Sequence, residues 1–370
     1  MTDLDALLRA LSWDTTDAGG AVTQQVIDAA QEHGVAMLLF DLQRSAARPV
    51  LSPHIAQTLL ELARQQTVIE LARLIGIRRV LGSLDQAGIP VLLLKGSALA
   101  YWLYDNPAQR SRCDLDILVA DKATAKHATD ALQRSGYALS IEALEASAEF
   151  EVALERTLPG GILHRVDLHW QVVNHARLAE GLTFADLDAH AISIPSLQCD
   201  ARGLGMVHAL VHALLHRITN MPSGAHDRLI WLYDIHLLAQ RFTSEDWSEF
   251  LRQCVSLACA TPCLDGLRAT RAVFGTPIPQ AVEHLLQAQS NTETWALGLG
   301  LGLGVDQGAM DRAHLAALSW PQKLGWLRRK LLPSRKFMRY RYGEAGGAGL
   351  LRAYMRRWWT GFRSALGWWR

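Results

Sequence analysis

The sequence predicts an α+β protein in which a strand-bearing middle section is bracketed by helices. Three observations lead there. Residues 26–42 and 55–84 carry apolar side chains at three- and four-residue intervals, the spacing of amphipathic helices. Residues 91–94, 114–119, 146–155 and 162–170 read as strands between turn residues. Residues 202–320 return to helical spacing. Four sections follow: a helical N-terminal cap (1–88), a strand-bearing core (89–200), a helical domain (201–319) and an Arg/Trp-rich tail (320–370).

Pro49 and Pro53 punctuate the joint between the first helices, and no polar cluster before residue 90 demands chemistry. This section is expected to cap the sheet. Gly88-Ile89-Pro90 stops the second helix and launches the strand at Val91. That strand ends in Lys95-Gly96-Ser97. Ser97 suits the N-cap of a helix reaching about Tyr104, which Asp105-Asn106-Pro107 breaks. The free N–H groups of a helix start favour phosphate, so Gly96 and Ser97 form a candidate cradle.

The second strand carries Asp114 and Asp116, which face the same way because side chains alternate along a strand. Two adjacent acids repel unless a cation lies between them, and Mg²⁺ takes oxygen ligands together with substrate phosphate. Arg110 and Arg112 precede the pair; each either clamps triphosphate oxygens or partly neutralises the acids. Ala120-Asp121 starts a helix to about Ser135, closed by Gly136. Past the Pro159-Gly160-Gly161 turn, Asp167 stands between apolar Val166 and Leu168 as a candidate third acid. His169 shares its face, and either orients a neighbour, contacts substrate or is structural.

Further on, His208, His212 and His216 recur every four residues on one helical face. The HExxH carboxylate is missing, so pocket lining or interior hydrogen bonding is expected rather than zinc. Asp227, Trp231 and Asp234 fall on one side of a helix beginning near His226; Trp231 either packs in the core or stacks on a nucleobase. Gly298, Gly300, Gly302 and Gly304 lack the strand–turn–helix context of a dinucleotide fingerprint and read as a loop or close helix contact.

Bulk properties exclude several classes. No run of about eighteen apolar residues exists, so no transmembrane helix is expected. The five cysteines form no CxxC pair and no zinc spacing; with no signal peptide evident, a reducing cytoplasm is expected. Net charge is +1 overall, yet from Trp320 onward thirteen Lys and Arg face a single acid, Glu344. This basic, aromatic tail either covers the body, lies on an anionic membrane surface at the inner face, or binds nucleic acid. Nucleic acid is least favoured because the section bearing the acid pair is itself acidic.

Lys95-Gly96, Ala98-Leu99, Tyr104, Pro107, Arg110, Asp114-Leu115-Asp116 and Asp167-Leu168-His169-Trp170 together resemble the uncharacterised bacterial nucleotidyltransferase family 5 of the polymerase-β-like superfamily. His33-Gly34-Val35-Ala36, residues 84–90, His212 and Asp234 look similar too, and the resemblance covers about residues 20–240. It implies a small mixed sheet flanked by helices. It also implies transfer of a nucleoside monophosphate from an NTP donor to an acceptor hydroxyl of unknown identity. Asp114 and Asp116 would hold two Mg²⁺ (or Mn²⁺) ions, with Asp167 completing the site; Lys95, Gly96, Ser97 and Arg110 would bind the phosphates, and His169, His212 and Asp234 would line a substrate pocket. Rival readings are a non-catalytic nucleotide-binding adaptor and a membrane-surface enzyme of envelope polysaccharide assembly.

Overall fold

The computed structural model describes residues 3–11, 22–44, 51–140, 150–173, 175–221, 227–296 and 307–333, and, further on, 335, 338–339, 343 and 347–367. The glycine run at 298–304, His226, Glu344 and residues 146–149 of the third predicted strand lie outside these residues.

The chain opens with α1 (Asp3–Ala10), α2 (Gln24–Glu32), α3 (Ala36–Gln43) and α4 (Pro53–Gln86). One helix was predicted over 26–42; the structure breaks it at Gly34, whose φ is +74°. The Val35 N–H turns back to the Ala30 carbonyl at 2.8 Å, closing α2. A Cβ at Gly34 would also meet Ile230 Cγ2 at 3.1 Å, so a side chain would push away a later helix. Apolar spacing alone runs straight through such a turn.

The middle section contains β1 (Leu92–Leu93), α5 (Lys95–Trp102), β2 (Asp114–Leu118), α6 (Lys122–Arg134), β3 (Ala138–Leu139), β4 (Glu151–Thr157), β5 (Leu163–His169), α7 (Ala176–Ala179), α8 (Phe184–Ala189), β6 (Ile192–Ser193) and β7 (Arg202–Gly203). These strands form one mixed sheet in the order β3-β4-β5-β2-β1-β7-β6. β2 and β5 run parallel, as do β1 and β7, and the remaining neighbours are antiparallel. β3, β6 and β7 escaped prediction because two residues show no period. The α6 boundaries match the sequence signals: Asp121 Oδ1 accepts the Thr124 N–H at 2.7 Å, and Gly136 follows with φ +88°.

Alternation along β2 and β5 divides the sheet's chemistry. Leu115, Ile117, Val166 and Leu168 face a core shared with Ile77, Val80, Leu81 and Leu84 of α4 and Ala125, Ala128 and Leu132 of α6. Asp114, Asp116, Asp167 and His169 face the other way.

The helical section comprises α9 (Met206–Asn220), α10 (Leu229–Gln240), α11 (Ser244–Ser256), α12 (Ala260–Phe274), α13 (Gln280–Ser290) and α14 (Gln307–Ala317), then α15 (Trp320–Leu331) and a last helix, Gly347–Gly367. Its core takes in Leu7, Ile27 and Leu39 of the first helices with Leu210, Leu214, Phe250 and Leu267. The N-terminal section therefore does more than cap the sheet. α4, about 50 Å long at 1.5 Å per residue, covers the sheet with its C-terminal half. α1–α3 pack into the helical section instead.

His164 is buried between β5 and α4. Its Nδ1 lies 2.8 Å from the Tyr137 hydroxyl, and a Cβ at Gly76 would fall 2.8 Å from its ring. Burial first, then the Arg73 and Arg112 charges, lower its pKa from 6.5 to about 4. A histidine held below its unfolded pKa binds its proton more readily in the unfolded chain. Its contribution to stability is thus complete above about 6.5 and is lost as pH falls towards 4. The urea midpoint is expected to fall between pH 7 and pH 5, and less steeply in His164→Leu; equal slopes would contradict this.

Candidate active site

β2 and β5 lie side by side in a register that pairs Asp116 with Asp167, and the two-residue period adds Asp114 to the same face. Carboxylate oxygens of the three lie within 4.8 Å of one another. Charge repulsion follows from that closeness. Asp116 first, then burial, pushes Asp114 up to about 6. Burial first, then Asp116, raises Asp167, although Arg165 Nε donates to its Oδ1 at 2.9 Å.

Asp116 behaves oppositely. Burial alone would raise it, but the Lys95 ammonium and the His169 ring outweigh burial and hold it well below the usual carboxylate range. Lys95 Nζ is 2.5 Å and His169 Nε2 2.9 Å from the same Asp116 Oδ1. His169 Nδ1 reaches Glu151 Oε2 at 3.1 Å, because the β4–β5 register sets these two residues opposite each other. Burial and Lys95 oppose protonation of His169, yet Asp116 and Glu151 raise it to about 9. His169 therefore stands as a charged link between two acids.

Lys95 adopts φ +50°, a left-handed conformation unusual for a side chain with a Cβ. The turn aims its ammonium back at β2. α5 starts at Lys95, not after Ser97, so Ser97 sits inside the first turn rather than capping it. Its hydroxyl donates to the Asp114 carbonyl at 3.2 Å and accepts the Asp116 N–H at 3.0 Å, fully buried. Ser97 thus ties the helix to the backbone of the acid strand. Ser97→Ala is expected to cost about 1–2 kcal/mol in stability, by leaving a buried N–H unpaired. A loss of nucleotide affinity with an unchanged melting temperature would instead mark the hydroxyl as a phosphate contact.

Gly96 is a glycine because a guanidinium lies on it: a Cβ there would be 2.9 Å from Arg110 Cζ. Arg110 is buried and engaged with Asp234 of α10, through Nε to Oδ1 at 2.8 Å and Nη2 to Oδ2 at 2.7 Å. The Tyr104 hydroxyl donates to the same Oδ1 at 2.7 Å. Asp234 is therefore occupied by Arg110 and Tyr104. Arg112 pairs with Glu70 of α4 at 2.7 Å.

Two cavities adjoin at Lys95. One, about 390 Å³, opens over the acids and is lined also by Glu151, His169, Asn220, Arg228 and Trp231. The other, about 20 Å³, holds His212, Trp102 and Asp234 behind Lys95 and has room for roughly one water. His169 thus belongs to the open cleft, whereas His212 and Asp234 line the small chamber. His212 is buried and, for that reason first, drops to about 3. Trp231 reaches the cleft as its helical position suggested; Asp227 does not, since Arg217 holds it at 2.7 Å. Glu151, Asn220 and Arg228 were missed. Only the β4–β5 register reveals Glu151, and Asn220 and Arg228 stand at the facing ends of α9 and α10, whose packing sequence spacing does not disclose.

A family model of uncharacterised nucleotidyltransferases matches residues 21–275. The match takes in the whole sheet, the cleft and the helices through α12. The chain belongs to that family. No curated protein matches it. Family membership implies a divalent cation, and the acid cluster suits one on its own chemistry. Asp114, Asp116 and Asp167 offer only oxygen donors, and the neighbouring negative charge that raises Asp114, and after burial Asp167, is charge that a cation would cancel. A second group, Cys254, Cys259 and Cys263, is wholly buried in the α11–α12 core, where thiols serve as small apolar side chains.

Proposed function

We propose that the protein moves a nucleoside monophosphate from an NTP to an acceptor hydroxyl, releasing pyrophosphate. The observation that carries this reading is the meeting of three acids from two strands on one cleft wall, within the section the family covers. The acceptor oxygen attacks the α-phosphorus, the bond from that phosphorus to the α–β bridging oxygen breaks, and pyrophosphate leaves with the electron pair. The hydroxyl proton passes to Asp167, whose basicity burial raises. A divalent cation, Mg²⁺ or Mn²⁺, held by Asp114, Asp116 and Asp167 supplies charge neutralisation at the reacting phosphate when bound.

The other residues position and screen. Lys95, with a fifth of its side chain exposed, presents its ammonium to the phosphates beside the Gly96 backbone. Arg110, which also lines the cleft, packs against that backbone and braces it. His169 and Glu151 fix the orientation of Asp116. Trp231, with the Arg228 guanidinium 5.6 Å from its ring centroid, offers an aromatic wall for a base or acceptor.

The test uses purified protein, Mg²⁺ or Mn²⁺, each NTP labelled in turn at the α- and the γ-phosphate, and heat-treated extract as acceptor source. The α-label is expected on an acceptor and the γ-label in pyrophosphate. γ-Label on the acceptor would mark a kinase, and Mg²⁺-dependent binding without transfer would support the adaptor reading.

A further inference from the structure

We propose that the C-terminal helix pair docks flat in the interface of an anionic lipid bilayer. α15 exposes Trp320 (77 %), Leu324 (64 %), Leu327 (47 %) and Leu331 (47 %), which recur at four- and three-residue steps and so form one face. On another side of α15, Trp326 turns inward, 6.4 Å from the ring of His314 on α14. The last helix exposes Leu351, Met355, Trp358 and Trp359 at the same kind of spacing, while Leu350 and Ala353 pack with Met338 in a small core of their own. The Trp358 indole N–H donates to the Leu331 carbonyl at 2.5 Å, and the Tyr354 hydroxyl donates to the Pro333 carbonyl. The two helices therefore touch at Leu331. Of the fifteen large apolar side chains exposed among the described residues, eight lie in this pair and a ninth, Leu332, follows α15 directly. A patch of that kind calls for a partner.

Charge decides which partner. The tail carries thirteen Lys and Arg against one acid, and Arg328, Arg335 and Arg339 are exposed beside the apolar residues. A second copy would set two such surfaces against each other, with like charges opposed. Single-stranded nucleic acid wants aromatic platforms, but Leu324, Leu327, Leu351 and Met355 offer no stacking face. An anionic bilayer satisfies both features: acyl chains take the Leu and Met, headgroups take the Arg and Lys, and Trp sits at the boundary. No helix among the described residues is long and apolar enough to cross a membrane, so the pair lies in the plane. The pair is anchored near the cleft, since His314 also packs 6.3 Å from Phe150, the neighbour of Glu151.

The test is flotation of the full-length protein with vesicles of phosphatidylcholine alone or mixed with phosphatidylglycerol. Binding is expected only to the mixed vesicles and is expected to fall as salt rises. Lys323→Gln/Arg328→Gln should weaken partitioning about 25-fold, at about fivefold per charge. Leu324→Ser/Leu327→Ser/Leu351→Ser/Met355→Ser should abolish it with an unchanged circular dichroism spectrum. Equal binding to neutral vesicles, no flotation at all, an RNA gel shift without flotation, or a dimer dissolved by the apolar variant would each overturn the proposal. Asp114→Asn should float like the wild type, so this test stands or falls apart from the catalytic reading.

Discussion

Asp114→Asn is expected to abolish nucleotidyl transfer while making the metal-free protein more stable. Both effects come from one source. Asp114 lies against Asp116 and Asp167, and its pKa stands at about 6 instead of 3.8. That rise corresponds to a penalty of up to about 3 kcal/mol for keeping the carboxylate charged at neutral pH in the absence of a cation. Asparagine keeps the shape and removes the charge, so the thermal midpoint without metal should rise by a few degrees. Activity should fall by about a thousandfold or more, because stabilising charge at the phosphate is the main work of such a site. Added Mg²⁺ with NTP should stabilise the wild type and not the variant. A variant that loses both activity and stability would show that Asp114 is a structural acid.

Asp234→Ala is expected to be among the most damaging substitutions for stability, at about 3–5 kcal/mol. Asp234 is 3 % exposed and takes two hydrogen bonds from Arg110 and one from Tyr104. Its removal strands a buried guanidinium, and the cost lies in that uncompensated charge more than in the lost attraction. The double variant Arg110→Met/Asp234→Leu should recover much of the stability, since apolar replacements of similar size remove both buried charges and leave only the Tyr104 hydroxyl without its acceptor. It should not recover activity, because Arg110 would no longer brace the Gly96 backbone against which it packs. Urea unfolding of the single and double variants measures this directly. Equal losses in the single and double variants would contradict it.

The sequence disclosed the acids and left their surroundings hidden. Asp114 and Asp116 are one residue apart, and Asp167 stands in a strand with its own period, so local rules sufficed to put each on a face. That β2 pairs with β5 is a non-local fact, and Glu151 became visible only through the pairing of β4 with β5. Arg110 and Asp234 show a similar limit. Arg110 stood out as a guanidinium beside the acids and Asp234 by its helical spacing, yet neither position discloses that the two pair with each other across 124 positions. Gly34 marks another limit: its apolar flanks continue the helical period, while its positive φ and the approach of Ile230 divide the helix.

In the proposed reaction Asp114, Asp116 and Asp167 together hold a divalent cation beside bound NTP. The most direct measurement is Mn²⁺ titration followed by electron paramagnetic resonance, with and without NTP, on the wild type and on Asp116→Asn/Asp167→Asn. NTP-dependent Mn²⁺ binding is expected in the wild type and its loss in the double variant, whose circular dichroism spectrum should remain that of the wild type. Undiminished Mn²⁺ binding by the folded double variant would contradict it.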